Sequence, residues 1–231
     1  MNKTLIFNTN YLGNPTPRKY GYGEQDEDTP VERWWQWKKH YARYNKTLKC
    51  FHDGALVECD EEILLDEDIV WGTGERIGRI RQDNWAGLRY YFGRGLAWGL
   101  GHGFDILAYI ENDVFTRPRH DERIAQFLSG HDVDSHDIIN DVNISNGSTL
   151  IIMGRVAACK MVDYFALAEN IYADDPDQIF ELQVDRIKGM NYRHILKGYR
   201  LEGEPIFNAP ADCEFIAQVN KFSRAKDFIY G

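Results

Sequence analysis

Residues 105–115, DILAYIENDVF, decide how this chain is read. Ile106 to Ile110 form an unbroken apolar run of strand length, and it ends abruptly in Glu111-Asn112-Asp113. A buried strand does not finish in two carboxylates one residue apart unless its end opens on a site that supplies them with a partner. Two carboxylates in this spacing can reach the same divalent ion, one directly and one directly or through water. Hard cations such as Mg²⁺ and Mn²⁺ prefer that oxygen set. An acidic-x-acidic triplet on its own is more often a solvated turn; the elements around this one give it weight.

Immediately upstream, Trp85, Leu88, Phe92, Leu96 and Leu100 step by 3, 4, 4 and 4 residues, the spacing of one helix face. Asp83 is a natural N-cap for that helix and Gly103 a natural stop. Glycines 87, 93, 95 and 99 lie inside it. Each would cost about 1 kcal/mol against alanine on an exposed face, so the pattern predicts a helix packed tightly on a sheet. GLGHG at 99–103 is not a dinucleotide fingerprint, because it closes a helix and precedes a strand instead of the reverse.

Working outward, KTLIFNT at 3–9 reads as a first strand that delivers Asn8-Thr9-Asn10 to a Gly- and Pro-rich loop. Thr29, Pro30 and Glu32 open a helix that runs to about Tyr44, with Trp34, Trp35, Trp37 and Tyr41 as packing residues. KTLKCFHDGALV reads as a strand ending at His52-Asp53-Gly54, or equally as the first arm of an Asp-Gly hairpin. Downstream the pattern gives a helix at about 119–128, a polar stretch SGHDVDSHDIINDVNISNGS, a strand TLIIMG, a helix RVAACKMVDYFALAEN and a further helix from Pro176. Less regular pieces follow. Strands alternating with helices indicate an α/β fold, a mixed central sheet flanked by helices, with sites at strand C-termini.

The bulk properties bound the function. With 231 residues the chain is long enough for one sizeable core, so a single domain spanning 1–231 is expected. A formal charge of −9 argues against nucleic acid as the main partner, since phosphate binding needs concentrated Lys and Arg. Cys50, Cys59, Cys159 and Cys213 lack CxxC spacing and read as reduced thiols, mostly small buried hydrophobes, in a cytoplasmic protein. No apolar stretch is long enough for a membrane span or a signal-peptide core. Aromatic residues make up 13%, enough to supply rings to a sugar or base site but read first as core and surface packing.

The stretch NWAGLRYYFGRGLAWGLGHGFDILAYIENDVF resembles the GT-A class of nucleotide-sugar glycosyltransferases, above all small members from large viruses, phages and bacteria. In these a helix runs into a strand that ends in Y-I-E-[SN]-D-V. The first strand with its polar loop, the HDG turn and GSTLIIMGRVA support the resemblance, which covers residues 3 to about 165. It implies a GT-A-like fold whose nucleotide-binding part is about 1–118 and whose acceptor side is about 119–231. It further implies a nucleoside-diphosphate sugar donor, UDP- or GDP-linked, and a Mn²⁺ or Mg²⁺ cofactor held by Glu111 and Asp113. Asn112 would then lie near the ribose or sugar, Asn8, Thr9 and Asn10 would border the nucleoside, Asp53 would meet the base edge, and Asn84 joins the donor-binding candidates. The family's triplet usually begins with Asp; here it begins with the longer Glu111, so direct ligation rests first on Asp113. The family also brings a late His or Asp to the metal, and His194 in NYRHILKGYR is the candidate, with Arg193, Lys197 and Arg200 nearby for diphosphate.

An inverting transfer needs a base for the acceptor hydroxyl. Asp177, Glu181 and Asp185 recur every four residues and share a helix face. Glu181 leads, with Asp177 second, because Ile179, Phe180 and Leu182 around Glu181 would bury it and raise its pKa; a solvated acidic face is the blander reading. HDVDSHD at 131–137 reads as an acceptor-side loop, with a second metal site as the lesser reading. The acceptor would be a glycan or another hydroxyl. Two other functions fit the same pattern: a sugar-1-phosphate nucleotidyltransferase, which usually needs a compact Gly-rich basic loop after the first strand that is not seen here, and a non-enzymatic carbohydrate-binding module.

Overall fold

The computed structural model describes residues 2–10, 12, 28–54, 61–72, 74, 84–141, 150–166, 187–200, 210–217, 219 and 221–231. The chain begins with β1 (Thr4–Asn10), α1 (Pro30–Tyr41), a 3-10 turn (Ala42–Tyr44), β2 (Thr47–His52), α2 (Glu61–Leu64) and β3 (Ile69–Val70). Next come the long α3 (Asn84–Gly101), β4 (Ile106–Ile110) and β5 (Phe115–Thr116). The remainder is α4 (Asp121–Leu128), β6 (Asp137–Asp141), β7 (Leu150–Gly154), α5 (Arg155–Phe165), β8 (Asn191–Leu196), β9 (Gly198–Arg200), β10 (Phe215–Ala217) and α6 (Phe222–Tyr230).

Seven strands form one sheet in the order β3-β2-β1-β4-β7-β6-β8. The pairs β1 with β2, β1 with β4, and β2 with β3 are parallel, whereas β7 runs antiparallel to both of its neighbours. β6 and β8 are again parallel to each other, so every strand except β7 points its C-terminal end to the same edge. β2 pairs in parallel on both sides, and its Asp-Gly terminus makes no hairpin among the described residues.

Alternation along the strands feeds two cores. Ile6, Ile106, Ala108, Ile110 and Ile152 pack on one face with Trp34, Trp37 and Tyr41 of α1. Leu5, Phe7, Phe51, Leu107, Tyr109 and Met153 pack on the other with Tyr91, Phe92 and Leu96 of α3 and Met161 and Phe165 of α5. The internal glycines of α3 are the contact surface. A Cβ on Gly95 would sit 2.5 Å from the Phe7 ring, and one on Gly99 would sit 2.6 Å from Leu107. A full capping box starts α1: the Thr29 hydroxyl accepts the Glu32 N–H at 3.2 Å and the Glu32 carboxylate accepts the Thr29 N–H at 2.7 Å. Cys50 and Cys213 are buried as expected of small hydrophobes, but Cys159 is exposed on α5.

Two regions differ from the sequence reading. The polar stretch after α4 contains β6, a strand in the body of the sheet, and the basic run NYRHIL is the edge strand β8. Both are stabilised from a distance. Asp137, 2% exposed, accepts from Asn191 Nδ2 at 2.5 Å and pairs with Arg193 at 2.8 Å, while Ile138 and Ile139 are fully buried on opposite faces. A second, three-stranded sheet β5-β10-β9 carries a small core of Phe115, Cys213, Ile216, Val219, Ala225 and Ile229. No helix among the described residues is long and apolar enough to cross a membrane.

Candidate functional site

The shared C-terminal edge lines up four chain segments in sheet order. At the end of β3 stand Trp71 and Gly72, at β2 His52-Asp53-Gly54, at β1 Thr9-Asn10, and at β4 Glu111-Asn112-Asp113. Ligand sites in open α/β sheets lie outside strand C-termini, where parallel strand ends leave backbone and side-chain polar groups unsatisfied by the sheet itself.

At the β2 side the backbones crowd together. The Asp53 N–H donates to the Asn10 carbonyl at 2.8 Å, which joins the ends of β1 and β2. Gly54 sits at φ 120°, and its N–H donates to the Tyr91 hydroxyl at 3.2 Å. A Cβ on Gly72 would collide with that hydroxyl and with the Gly54 carbonyl, so glycine is required for the approach. The buried His52 ring stacks obliquely on Trp71, centroids 4.8 Å apart. Asp53 is itself only 8% exposed.

The acidic turn is pinned from several sides. The Val114 N–H donates to the Glu111 carbonyl at 3.2 Å and closes a β-turn with Asn112 and Asp113 at its centre. The buried Tyr41 hydroxyl of α1 donates to the Val114 carbonyl at 3.0 Å, and the Val219 N–H donates to the Asp113 carbonyl at 2.9 Å. Glu111, Asn112 and Asp113 are all half-buried. Beneath them the Tyr109 hydroxyl lies 3.4 Å from Thr9 Oγ1. Burial pushes the Tyr109 phenol well above its ordinary pKa, and the charges of Glu111 and Asp113 add to the shift. Tyr109 therefore stays a neutral donor next to two carboxylates.

Glu111, Asp113, Thr9 and Asn10 are thus gathered at one edge with Asp53 beside them. Asn8 is fully enclosed, and by alternation it faces the α1 side with Ile6; neither carboxamide atom has a hydrogen-bond partner among the described residues. A buried amide in that state costs about 1–3 kcal/mol per unmet group. Of the three polar residues, Thr9 and Asn10 are the ones left partly open at the strand end, both half-buried. Asn84 begins α3, with its side chain outside the described residues, as are Asp177, Glu181 and Asp185 entirely. His194 is exposed on β8, opposite Asn140 of β6, three strand spacings from β4, or about 14 Å along the sheet. The turn does not gather it. Arg193 pairs with Asp137, and Lys197 with Asp212 at 2.7 Å, so both cations already have carboxylate partners. In HDVDSHD, Asp134 is exposed and accepts the His136 N–H at 3.1 Å, while Asp137 begins β6.

Among the described residues no three His, Cys, Asp or Glu side chains are clustered to hold an ion. The donor set fits a cation that takes one or two protein carboxylates and completes its shell with phosphate oxygens and water, as Mg²⁺ commonly does. Sequence reasoning passed over Tyr109, Trp71 and Tyr91, and read Tyr41 as a packing residue of α1. A phenol two residues before the acid in an otherwise aliphatic strand was the available signal for Tyr109.

No protein-family profile matches the chain, and no curated protein sequence matches it. Among solved structures it is similar to a glycosyltransferase involved in the glycosylation of the major capsid of PBCV-1, with a TM-score of 0.52 at 12% identity, over 97% of this chain and 96% of that one. It is more loosely similar to 4-diphosphocytidyl-2C-methyl-D-erythritol synthase from Anaerococcus prevotii, with a TM-score of 0.44 at 12% identity, over 83% of this chain and 87% of that one. The chain has a GT-A-like fold, a seven-stranded mixed sheet between helices with its candidate site along the parallel strand ends.

Proposed function

We propose that the chain is a metal-dependent glycosyltransferase that moves a sugar from a nucleoside diphosphate to an acceptor hydroxyl, on a glycan or another hydroxylated molecule. The observation that carries this is the acidic turn, held at the end of β4 two strand spacings, about 10 Å, from the Asp53 turn of β2. That separation suits a nucleotide lying across the strand ends, with its base at β2 and its diphosphate at β4.

In this reading Asp53 accepts an N–H from the base edge, Thr9 and Asn10 flank the nucleoside, and Asn112 faces the ribose or sugar. Asp113 and Glu111 hold Mn²⁺ or Mg²⁺. When bound, the ion balances the charge that grows on the diphosphate as the sugar leaves. Tyr109, kept neutral by burial, adds no charge beside the two carboxylates. We assign the base that takes the acceptor proton to Glu181, with Asp177, four residues earlier in the sequence, as the alternative.

The test is product analysis. Wild-type protein is incubated with Mn²⁺ and a panel of UDP- and GDP-sugars, with free nucleoside diphosphate and sugar measured. Slow release of nucleoside diphosphate that Asp113→Ala abolishes supports the proposal. Pyrophosphate released from a nucleoside triphosphate and a sugar phosphate would replace it with nucleotidyl transfer.

A further inference from the structure

We infer that the C-terminal residues 213–217, 219 and 221–230 form a strap that positions the acidic turn, with Asp28 and Tyr230 as its two anchor residues. The inference rests on the reading of Glu111 and Asp113 as metal ligands.

The turn's exit is built on this segment and not on the main sheet. The Val219 N–H holds the Asp113 carbonyl at 2.9 Å, and Phe215 and Ile216 of β10 pair antiparallel with Thr116 and Phe115 of β5. The Arg117 N–H then donates to the Glu214 carbonyl at 2.8 Å. Among the described residues, 113–117 therefore take their partner strand from the far end of the chain. Asp113 cannot change its backbone direction without breaking the bond to Val219.

That partner strand is itself tied down by α6, which is fixed at both ends to the α1 region. Lys221, the N-cap residue of α6, makes no side-chain cap of its own. The cap is supplied across the molecule. Asp28, 6% exposed, accepts the Phe222 N–H at 2.7 Å with one carboxylate oxygen, while the other lies 3.3 Å from the Lys221 ammonium. At the far end the Tyr230 hydroxyl is 2.8 Å from Nδ1 of His40, whose Nε2 is 3.3 Å from the Thr116 hydroxyl in β5. Between the anchors Phe222 packs on Phe115 at 4.7 Å, and the Arg117 guanidinium lies 4.3 Å over the Phe228 ring.

Asp28 immediately precedes the N-cap of α1 and sits where the chain leaves the β1–α1 loop. One carboxylate thus joins the start of α1 to the segment that holds Asp113. Outer partners that orient a metal ligand typically contribute 10–100-fold to metal affinity, because they fix where the ligand oxygen points. Neither Asp28 nor Tyr230 touches the proposed ligand: Asp28 acts through the start of α6, just after Val219, and Tyr230 through His40 and Thr116 of β5.

The experiment compares wild type, Asp28→Ala, Asp28→Asn and Tyr230→Phe as full-length chains. Amide hydrogen exchange is followed without metal, and UDP and GDP binding with and without Mn²⁺. Expected are faster exchange at Val219 and Val114 in Asp28→Ala and Tyr230→Phe, with Phe7 and Leu107 unchanged. About a tenfold loss of the Mn²⁺-dependent part of nucleotide affinity accompanies it, with the metal-independent part unchanged. Asp28→Asn, which keeps an acceptor oxygen, recovers most of both. Tyr230→Phe removes only a half-exposed hydroxyl and keeps the test valid where Asp28→Ala fails to fold. Unchanged exchange at Val219, or faster exchange with undiminished metal-dependent affinity, overturns the strap. Wild type lacking any metal-dependent binding overturns the metal reading and the positioning role together, and that outcome is visible before any variant is compared.

Discussion

Substituting Gly95 by alanine separates a helix that merely covers the sheet from one whose backbone lies on it. On an exposed helix the change would stabilise by about 1 kcal/mol through helix propensity. Here the new methyl would stand 2.5 and 2.6 Å from two carbons of the Phe7 ring and 3.1 Å from Phe51. Carbon atoms rest at about 3.5–4.0 Å, so the overlap with Phe7 is close to 1 Å. Phe7 has no room to yield: it is fully buried in β1, with ring neighbours Phe51 at 5.7 Å, Phe92 at 5.9 Å and Tyr109 at 5.5 Å. Overpacking of this kind costs about 1–3 kcal/mol, which cancels or outweighs the propensity gain and leaves a net loss of about 0–2 kcal/mol. The control is Gly101→Ala on the same helix, where nothing lies within 4 Å and a gain of up to about 1 kcal/mol is expected. Urea denaturation of both variants measures the difference. In heat, each 1 kcal/mol should shift Tm by about 2–4 °C. A Gly95→Ala protein as stable as Gly101→Ala would refute the close packing of α3 on β1 and β2.

The remaining predictions concern α1. His40 is buried, and burial first, with the Arg43 charge second, lowers its pKa from 6.5 to about 2. Below about pH 6.5 the unfolded chain binds a proton that the folded chain refuses, so stability is whole above that pH and falls as the pH drops. The loss is about 2 kcal/mol between pH 7.5 and 5, read from urea midpoints. His40→Gln should flatten that segment of the profile, and identical slopes in the two proteins would contradict the assignment. Thr29→Ala, which removes the hydroxyl half of the capping box, should cost about 1 kcal/mol in the same assay.

The parts of the fold that were legible in the sequence are those stabilised by neighbours close in the chain. The Thr29-Pro30-Glu32 start of α1, the face of α3 stepping by four and the apolar run of β4 each carry their own signal, and the internal glycines of α3 announced its tight seat on the sheet. β6 was illegible because DIIND is short and opens on a carboxylate whose partners, Asn191 and Arg193, arrive only with β8. Nothing local distinguishes Asp137 in a sheet from an aspartate in a loop. The same holds for β8, whose exposed and half-buried polar residues look like a basic surface run until the strand order places them at an edge. Of the candidate site, the acidic turn and the Asp53 turn stood out as chemistry at strand ends. The groups that fix the acidic turn did not, since Tyr41 and Val219 belong to elements whose proximity to Asp113 only the folded chain reveals. Alternation likewise sends Asn8 beneath α1 while Thr9 and Asn10 stay partly open, a distinction that a run of three polar residues hides.

The measurement that bears most directly on the central claim is calorimetric titration of UDP and GDP, each with and without Mn²⁺, into wild type and Asp113→Ala. Binding of at least one nucleotide should depend on Mn²⁺ in the wild type and be lost in a folded Asp113→Ala protein, which would place the diphosphate at the end of β4. Absence of nucleotide binding under both conditions, or equal metal-dependent binding by the variant, would contradict it and leave Glu111-Asn112-Asp113 as a solvated turn.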